Sequence, residues 1–254
     1  MSSDDIAIRP AVVLLHAFPL DSRMWDAVRA PLEAHFTVIT PDQRGLGARP
    51  LGSAPVPSLD VVAADVIAEL ESLGLERVVL GGISMGGYVA MSVLRQAPEL
   101  VEKLVLVDTK AVADTDQQRV GRLAMAERVE AEGTAWVADA VLDGLLGAST
   151  HASRPTAVNA ARALIDAQSA EGIAWAQRAM AARPDSTDTL RGVGVPTLVV
   201  VGEQDKLAPP SAAEEMFDLL PDAELTVLHG CGHLPPIERP AEFAEVLIDW
   251  LSPA

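Results

Sequence analysis

The 254-residue sequence predicts an α/β fold, in which a mostly parallel sheet of about six strands carries helices on both faces. Three observations indicate this class. Short apolar runs alternate with amphipathic helical patterns. A purely helical stretch interrupts that alternation, and a glycine-flanked serine directly follows one of the apolar runs. The length fits one large domain that carries an inserted segment.

Six short apolar runs are predicted strands. Each is rich in Val, Leu or Ile and lacks polar alternation, as expected for a parallel strand that is covered on both faces. These runs are Val12–His16, Phe36–Thr40, Val78–Gly82, Leu104–Asp108, Thr197–Gly202 and Leu225–Leu228.

Helical patterns lie between these strands. The clearest is Leu59–Leu73, where Val62, Val66 and Leu70 lie on one stripe and Gly74 follows the end. Alternation of strand and helix predicts parallel pairing, because a crossover helix returns the chain to the same edge of the sheet. The other predicted helices are Met24–Leu32, Gly86–Gln96, Ala212–Leu219 and Glu242–Leu251.

The alternation stops between residues 110 and 191, where no convincing strand occurs. We therefore expect a core domain made of residues 1–109 and 192–254, and a helical lid, residues 110–191, over the carboxyl edge of the sheet. The predicted lid helices are Asp116–Glu132, Thr134–Leu146, Pro155–Ser169 and Ile173–Ala182.

Composition excludes several classes of protein. A formal charge of −17 argues against nucleic acid and anionic membrane surfaces as partners, and the single cysteine, Cys231, permits no internal disulfide. No apolar run approaches the ~20 residues that span a bilayer. The first ten residues lack the pattern of a signal peptide, which predicts a cytoplasmic location. The expected partner is a small-molecule substrate, and the oligomeric state stays open.

The strongest motif is a strand, then Gly82-x-Ser84-x-Gly86, then a helix. This context is typical of a nucleophilic serine on a tight strand-to-helix turn, where larger neighbours would collide with the backbone. The helix N-terminus beside it favours developing negative charge. An ordinary glycine-rich turn is the alternative, and the strand and helix on either side argue against it.

A serine hydroxyl needs a general base, and His233 is the predicted one. It lies in the loop after the last predicted strand, at the sheet edge where Ser84 emerges. His229 is the nearest competitor, but it ends the strand itself, and a structural role suits it better. His35 and His151 are expected at the surface.

The base needs a carboxylate that fixes its tautomer, and Asp205 is the predicted one. It follows the penultimate strand, and the chain order Ser84, Asp205, His233 is the order found with this turn. Asp108, just after another strand, is the competing acid.

Two backbone N–H groups are needed for an oxyanion hole. Met85, the residue after the nucleophile, supplies one, and Phe18 in the loop after the first strand is the expected second donor. His16 in that loop is interpreted as a hydrogen-bonding residue that holds the loop.

The chain resembles the α/β-hydrolase fold family over nearly its whole length. The resemblance rests on the loop His16–Leu20, the turn Pro41–Gly47, the serine turn, and the loops that carry Asp205 and His233. The branch is similar to 3-oxoadipate enol-lactonases, small carboxylesterases and metal-free haloperoxidase/perhydrolases. This resemblance implies hydrolysis of carboxylic esters or lactones through an acyl-enzyme, with no cofactor and no metal. Ala17 departs from the family's usual glycine, which puts the efficiency of the oxyanion loop in question.

The expected substrate pocket is apolar. Leu20 and Leu234 are placed there by their position next to the predicted catalytic residues, and Trp136 and Trp175 are candidates from the lid. For the two tryptophans, packing between lid helices is the alternative. The lid is also rich in arginine, which fits either recognition of a carboxylate-bearing substrate or ion pairs on helix surfaces. Those arginines are Arg119, Arg122, Arg128, Arg154, Arg162, Arg178 and Arg183.

Other functions use the same residues. Perhydrolysis would replace water by peroxide at the acyl-enzyme, and a thioesterase or C–C bond hydrolase would differ in substrate alone. A non-catalytic α/β-hydrolase homologue that binds a ligand is a further alternative, because a fold does not determine a function.

Overall fold

The computed structural model describes residues 10–53 and 56–252. The signal-peptide prediction falls almost entirely on the first nine residues, which lie outside that range. Within it, all six predicted strands are present, with ends shifted by a few residues. They are β1 (Ala11–Leu15), β2 (Thr37–Ile39), β3 (Val78–Ile83), β4 (Val101–Val107), β5 (Thr197–Gly202) and β6 (Ala223–Leu228).

These strands form one sheet in the order β2-β1-β3-β4-β5-β6, and every neighbouring pair is parallel. Every residue of β1, β3 and β5 is buried, so helices cover both faces, as their unbroken apolar runs predict. The predicted α/β class is confirmed. The edge strand β6 is only partly buried, which explains its weaker apolar pattern.

Register decides which residues meet at the carboxyl edge. Ile83, the last residue of β3, pairs with Val107, the last residue of β4. Ser84 and Asp108 therefore leave adjacent strands at the same level. Gly202, the last residue of β5, pairs with Leu228 at the end of β6. The loops that carry Asp205 and His233 consequently begin at this same edge.

Five helices of the alternating part match the predicted ones, although the first begins as a 3-10 turn at Ser22–Trp25. They are α1 (Asp26–Glu33), α2 (Leu59–Ser72), α3 (Met85–Gln96), α10 (Pro210–Leu219) and α12 (Pro240–Leu251). A further one, α11 (Pro235–Glu238), has only four residues and shows no periodicity in the sequence.

Between β4 and β5 the chain contains six helices and no strand. The first of them begins at Thr115, whose side chain accepts a hydrogen bond from Gln118 N while Gln118 bonds back. Two were missed from sequence, α6 and α9, because helices of six and five residues are too short to show a period. The six are α4 (Asp116–Glu132), α5 (Val137–Leu145), α6 (Ala148–Ser153), α7 (Pro155–Asp166), α8 (Ala170–Ala181) and α9 (Thr187–Arg191).

Three inserted helices contact the core, α7 against α11, α8 against α2, and α9 against α3 and α10, while α4 packs along α8. The division into a core and a lid remains a prediction, since helix positions alone do not show independent units. Among the described residues, no helix is both long enough and apolar enough to cross a bilayer.

Candidate active site

Ser84 lies on a strained turn between β3 and α3. Its backbone has φ 54° and ψ −114°, a conformation that residues other than glycine rarely adopt. A Cβ atom on Gly82 would collide with the carbonyl of Gly86, and one on Gly86 would collide with the carbonyl of Leu15. Both glycines are therefore required by close backbone approach. Strain of this kind persists where surrounding structure enforces it, which is common at reactive sites.

His233 and Asp205 are bonded to each other in the core. The distance from His233 Nδ1 to Asp205 Oδ2 is 2.7 Å, and the two residues are 2% and 4% exposed. The other carboxylate oxygen of Asp205 accepts hydrogen bonds from Leu207 N at 2.8 Å and Ala208 N at 3.2 Å. Burial raises the pKa of Asp205, but the charge and hydrogen bond of His233, with smaller effects of Asp108 and Leu207 N, lower it by more, so the net shift is downward. An ionised Asp205 fixes the imidazole with Nδ1 protonated.

The second ring nitrogen of His233, Nε2, is buried and has no hydrogen-bond partner among the described residues. His233 and Ser84 line the same cavity. The basic nitrogen is thus available to a hydroxyl group at that surface, which is the arrangement a general base requires.

Asp108, the competing acid, occupies a different role. Its Oδ1 accepts a hydrogen bond from Gly202 N at 2.8 Å, and its backbone has φ 42°. Polar side-chain atoms of Asp108, Asp205 and His233 lie within 4.8 Å of one another. Burial, together with the charge and hydrogen bond of Asp205, raises the pKa of Asp108 well above its usual range. The imidazole is therefore bonded to Asp205, and the raised pKa of Asp108 favours the protonated form of that neighbouring carboxyl group.

The loop after β1 is held by His16. Its Nε2 accepts a hydrogen bond from Gln43 N at 2.9 Å, and the side chain of Gln43 donates to the His16 carbonyl at 2.7 Å. Burial lowers the pKa of His16, which favours the neutral ring that this acceptor role needs. His16 thus acts as the loop support that the sequence suggested. Ala17 has a negative φ and is fully buried, so its methyl group fits the loop.

The two predicted oxyanion donors have free N–H groups. Among the described residues, the backbone N–H of Phe18 and that of Met85 have no acceptor. Phe18 lines the cavity with Ser84, and Met85 is the first residue of α3. Unpaired backbone donors near Ser84 are what an oxyanion hole at this serine would need.

The cavity has a volume of about 380 Å³ and lies between the core and the inserted helices. A larger groove of about 670 Å³ on another face contains none of the predicted catalytic residues. The smaller cavity is lined by Phe18, Pro19, Ser84, Tyr88, Lys110, Gln118, Gly121, Arg122, Met125, Ala140, Val141, Gly144, Leu145, Gln177, Met180, Leu207, Ala208 and His233.

The four predicted substrate-binding residues are not among those that line this cavity. Leu20 and Leu234 are fully buried in the core beneath it. Trp175 is buried on α8, and the ring of Trp136 lies 3.8 Å from the guanidinium of Arg128. Nearness in sequence does not give the direction of a side chain. The residues of the inserted helices that line the cavity could therefore not be selected from the sequence.

The remaining histidines lie outside the site. His35, His151 and His229 are exposed, and His229 Nδ1 is 3.3 Å from Glu203. The surface positions predicted for His35 and His151 are confirmed. The side chain of His229, for which a structural role was predicted, is 84% exposed and contacts Glu203 at the surface.

Glu238 is a residue that sequence reasoning missed. It is 3% exposed, and each of its carboxylate oxygens accepts two hydrogen bonds. Oε1 accepts from Gly232 N and Leu234 N, both at 3.0 Å, which are the neighbours of His233 in the chain. Oε2 accepts from Gly147 N at 2.8 Å and Thr150 Oγ1 at 2.6 Å in the inserted segment. The sequence offers one signal for it, since Glu238 is a single acidic residue within the apolar run that follows His233.

We expect Glu238→Gln to destabilise the protein and to lower turnover. The amide nitrogen cannot accept, so two buried donors lose their partner, which costs about 2–5 kcal/mol in the free energy of unfolding. Thermal unfolding followed by circular dichroism measures this loss. Glu242→Gln is the matched control, because Glu242 is half exposed and its ion-pair partner among the described residues is Arg239. An equal melting temperature for the two variants would contradict this role of Glu238.

Comparison with known proteins places this geometry in a family. Residues 12–246 match the sequence profile described as "Alpha/beta hydrolase family". A pimeloyl-[acyl-carrier protein] methyl ester esterase of Aromatoleum aromaticum is 29% identical, over 95% of this chain and 98% of its own length.

Solved structures are also similar. A thermophilic esterase from Thermogutta terrifontis, in a malate-bound structure, has a TM-score of 0.92 and 38% identity, covering 95% of this chain and 89% of its own. The enol-lactonase from Burkholderia xenovorans LB400 has a TM-score of 0.87 and 27% identity, covering 96% and 91%. These matches cover nearly the full length of the chain and are consistent with the strained serine turn and the parallel sheet. The chain belongs to the α/β-hydrolase family.

Proposed function

We propose that this protein hydrolyses carboxylic esters or lactones through an acyl-enzyme on Ser84. One observation carries the proposal. A buried Asp205–His233 pair, bonded at 2.7 Å, leaves Nε2 unpartnered beside the cavity that Ser84 lines. A serine, a base with a free nitrogen and a carboxylate that orients the base form the set used for acyl transfer.

The proposed reaction has two halves. His233 Nε2 takes the Ser84 proton as the serine oxygen attacks the carbonyl carbon, and the N–H groups of Phe18 and Met85 bind the oxyanion. His233 then gives the proton to the leaving alcohol, which departs as the acyl-enzyme forms. Water, deprotonated by His233, attacks the acyl-enzyme, and Ser84 leaves with the proton.

The relatives support this class of reaction. The curated relative is a methyl ester esterase, and the two similar structures are an esterase and an enol-lactonase. Esters and lactones share a carbonyl with an oxygen leaving group, so one site serves both. The mixed polar and apolar lining of a cavity of about 380 Å³ fits a small substrate.

A fluorophosphonate probe and short p-nitrophenyl esters test the proposal together. We expect burst release of nitrophenolate near pH 8, and stoichiometric probe attachment that peptide mass spectrometry locates at Ser84. Labelling at another serine, or ester turnover that survives full labelling, would refute the assignment. Comparing the hydrolysis rates of γ- and δ-lactones with those of the esters shows which type of leaving group the enzyme prefers.

A further inference from the structure

The cavity that contains Ser84 has a local charge opposite to that of the whole protein. Lys110 and Arg122 line it, and none of the described residues that line it is Asp or Glu. The chain as a whole carries −17. A negatively charged protein surface repels anionic substrates. Two cations at the cavity are therefore a local electrostatic feature that the acidic composition of the chain does not predict.

Asp114 holds these cations in place without neutralising them. Its carboxylate lies 2.5 Å from Arg122 Nε, 2.8 Å from Arg183 Nη1 and 3.8 Å from Lys110 Nζ. One carboxylate thus faces three basic side chains, and the cluster retains positive charge. The pKa of Lys110 is lowered, mainly by burial. Asp114 opposes this shift, and the neighbouring Arg183 and Arg122 add to it, as expected near excess positive charge.

Arg122 keeps hydrogen-bonding capacity after its internal contacts are made. Its Nε bonds to Asp114, and its Nη1 donates to Gln177 Oε1 at 3.2 Å. Its Nη2 has no partner among the residues that the structure describes. The guanidinium is fixed by these contacts, so little conformational entropy is lost when it binds a carboxylate.

Other arginines of the inserted helices are occupied elsewhere. Arg128, Arg162 and Arg178 pair with carboxylates at 2.8, 2.7 and 2.5 Å, and none of the three lines the cavity. The two explanations of the arginine-rich lid therefore apply to different residues. Ion pairing accounts for these three, whereas Arg122 is directed to the cavity.

We propose that Lys110 and Arg122 form an anion subsite that selects esters and lactones bearing a second, ionised carboxylate. This inference rests on the proposed hydrolysis at Ser84 for the reaction, but the subsite itself is a matter of binding. The substrate class is the monoesters of dicarboxylic acids, in which one carbonyl reaches Ser84 while the far carboxylate meets Arg122.

The kinetic test compares mono-p-nitrophenyl esters of C5 to C8 dicarboxylic acids with their terminal amides, which differ only in charge. We expect kcat/KM of the best acid to exceed that of its amide by at least about tenfold, since hydrogen bonds between charged groups are strong. Arg122→Gln should reduce this ratio toward one, with Lys110→Met as a second variant. Arg119→Gln, an exposed arginine on the same helix, removes the same charge and should leave the ratio unchanged.

A binding test separates the subsite from the chemistry. Calorimetry with adipate and adipamide on the Ser84→Ala protein should show binding of adipate alone, weakened about tenfold by adding Arg122→Gln. If no ester is turned over but adipate binding depends on Arg122, the proposed function fails and the subsite stands. Equal kcat/KM values for acid and amide, or adipate binding that ignores Arg122→Gln, would overturn the subsite while ester hydrolysis remains.

Discussion

Replacement of Ser84 by alanine is expected to lower kcat/KM for a short ester by a factor of about 10⁴ to 10⁶. The change removes the attacking oxygen, and no other described serine shares the cavity with His233. The residual rate comes from the oxyanion donors and substrate binding. Nitrophenolate release from p-nitrophenyl acetate, followed at high enzyme concentration, measures the loss.

Ser92→Ala is the matched control for this prediction. Ser92 lies two turns further along α3, and its hydroxyl is bonded to Asp60 and faces away from the cavity lining. Wild-type kinetics are expected for it. Comparable losses in both variants would show that the effect at position 84 is structural.

Ser84→Gly adds a readout of strain at the same residue. Glycine tolerates φ 54° without the steric cost that a side chain carries there. The glycine variant should therefore be inactive yet melt at a higher temperature than the alanine variant. Strain at Ser84 would be refuted by an alanine variant that melts at or above the glycine variant.

Asp205→Asn is expected to lower kcat by a factor of about 10⁴, whereas Asp108→Asn should retain most of the activity. An asparagine at 205 can present its NH₂ to His233 Nδ1, which favours the wrong tautomer. At position 108 the amide oxygen still accepts from Gly202 N, and the amide nitrogen is a donor near Asp205, as a protonated carboxyl group would be. A large loss at position 108 with activity retained at 205 would exchange the roles of the two acids.

Stability against pH gives an independent test of a neutral Asp108. Its pKa is raised in the folded protein, so its contribution is fully present below the ordinary aspartate pKa and is lost as pH rises through the folded-state pKa. Asparagine does not titrate. Urea unfolding near pH 5 and near pH 8 should therefore show a larger loss of stability for the wild type than for Asp108→Asn. Equal losses would mean that Asp108 is ionised in the folded protein.

Local chemistry made much of the fold predictable. The six strands were visible because burial on both faces demands unbroken apolar runs, and α2 was visible because a long amphipathic helix repeats its apolar stripe. Ser84 was found because a strained turn restricts the residues on both sides of it. The candidate general base and the two candidate acids followed from the rule that parallel strands end at one edge.

Long-range placement was decided by the tertiary structure. The sequence predicted Asp205 with Asp108 as the competing acid, and only the register of β5 with β6 and the course of the two loops that follow bring Asp205 to His233. Trp136 and Trp175 are not among the residues that line the cavity, whereas Arg122, one of several arginines in the sequence, is among them. Side-chain direction depends on how helices pack against each other, and that information is not contained in local periodicity.

Glu238 shows the same limit most clearly. Its four hydrogen-bond donors come from both sides of His233 and from a segment about 90 positions earlier in the chain. The sequence alone determined the class of fold, the reactive serine turn and the order of the candidate catalytic residues. The tertiary structure decided which acid is bonded to His233, which cations line the cavity beside Ser84 and which carboxylate holds the loop of His233, because these depend on contacts between distant parts of the chain.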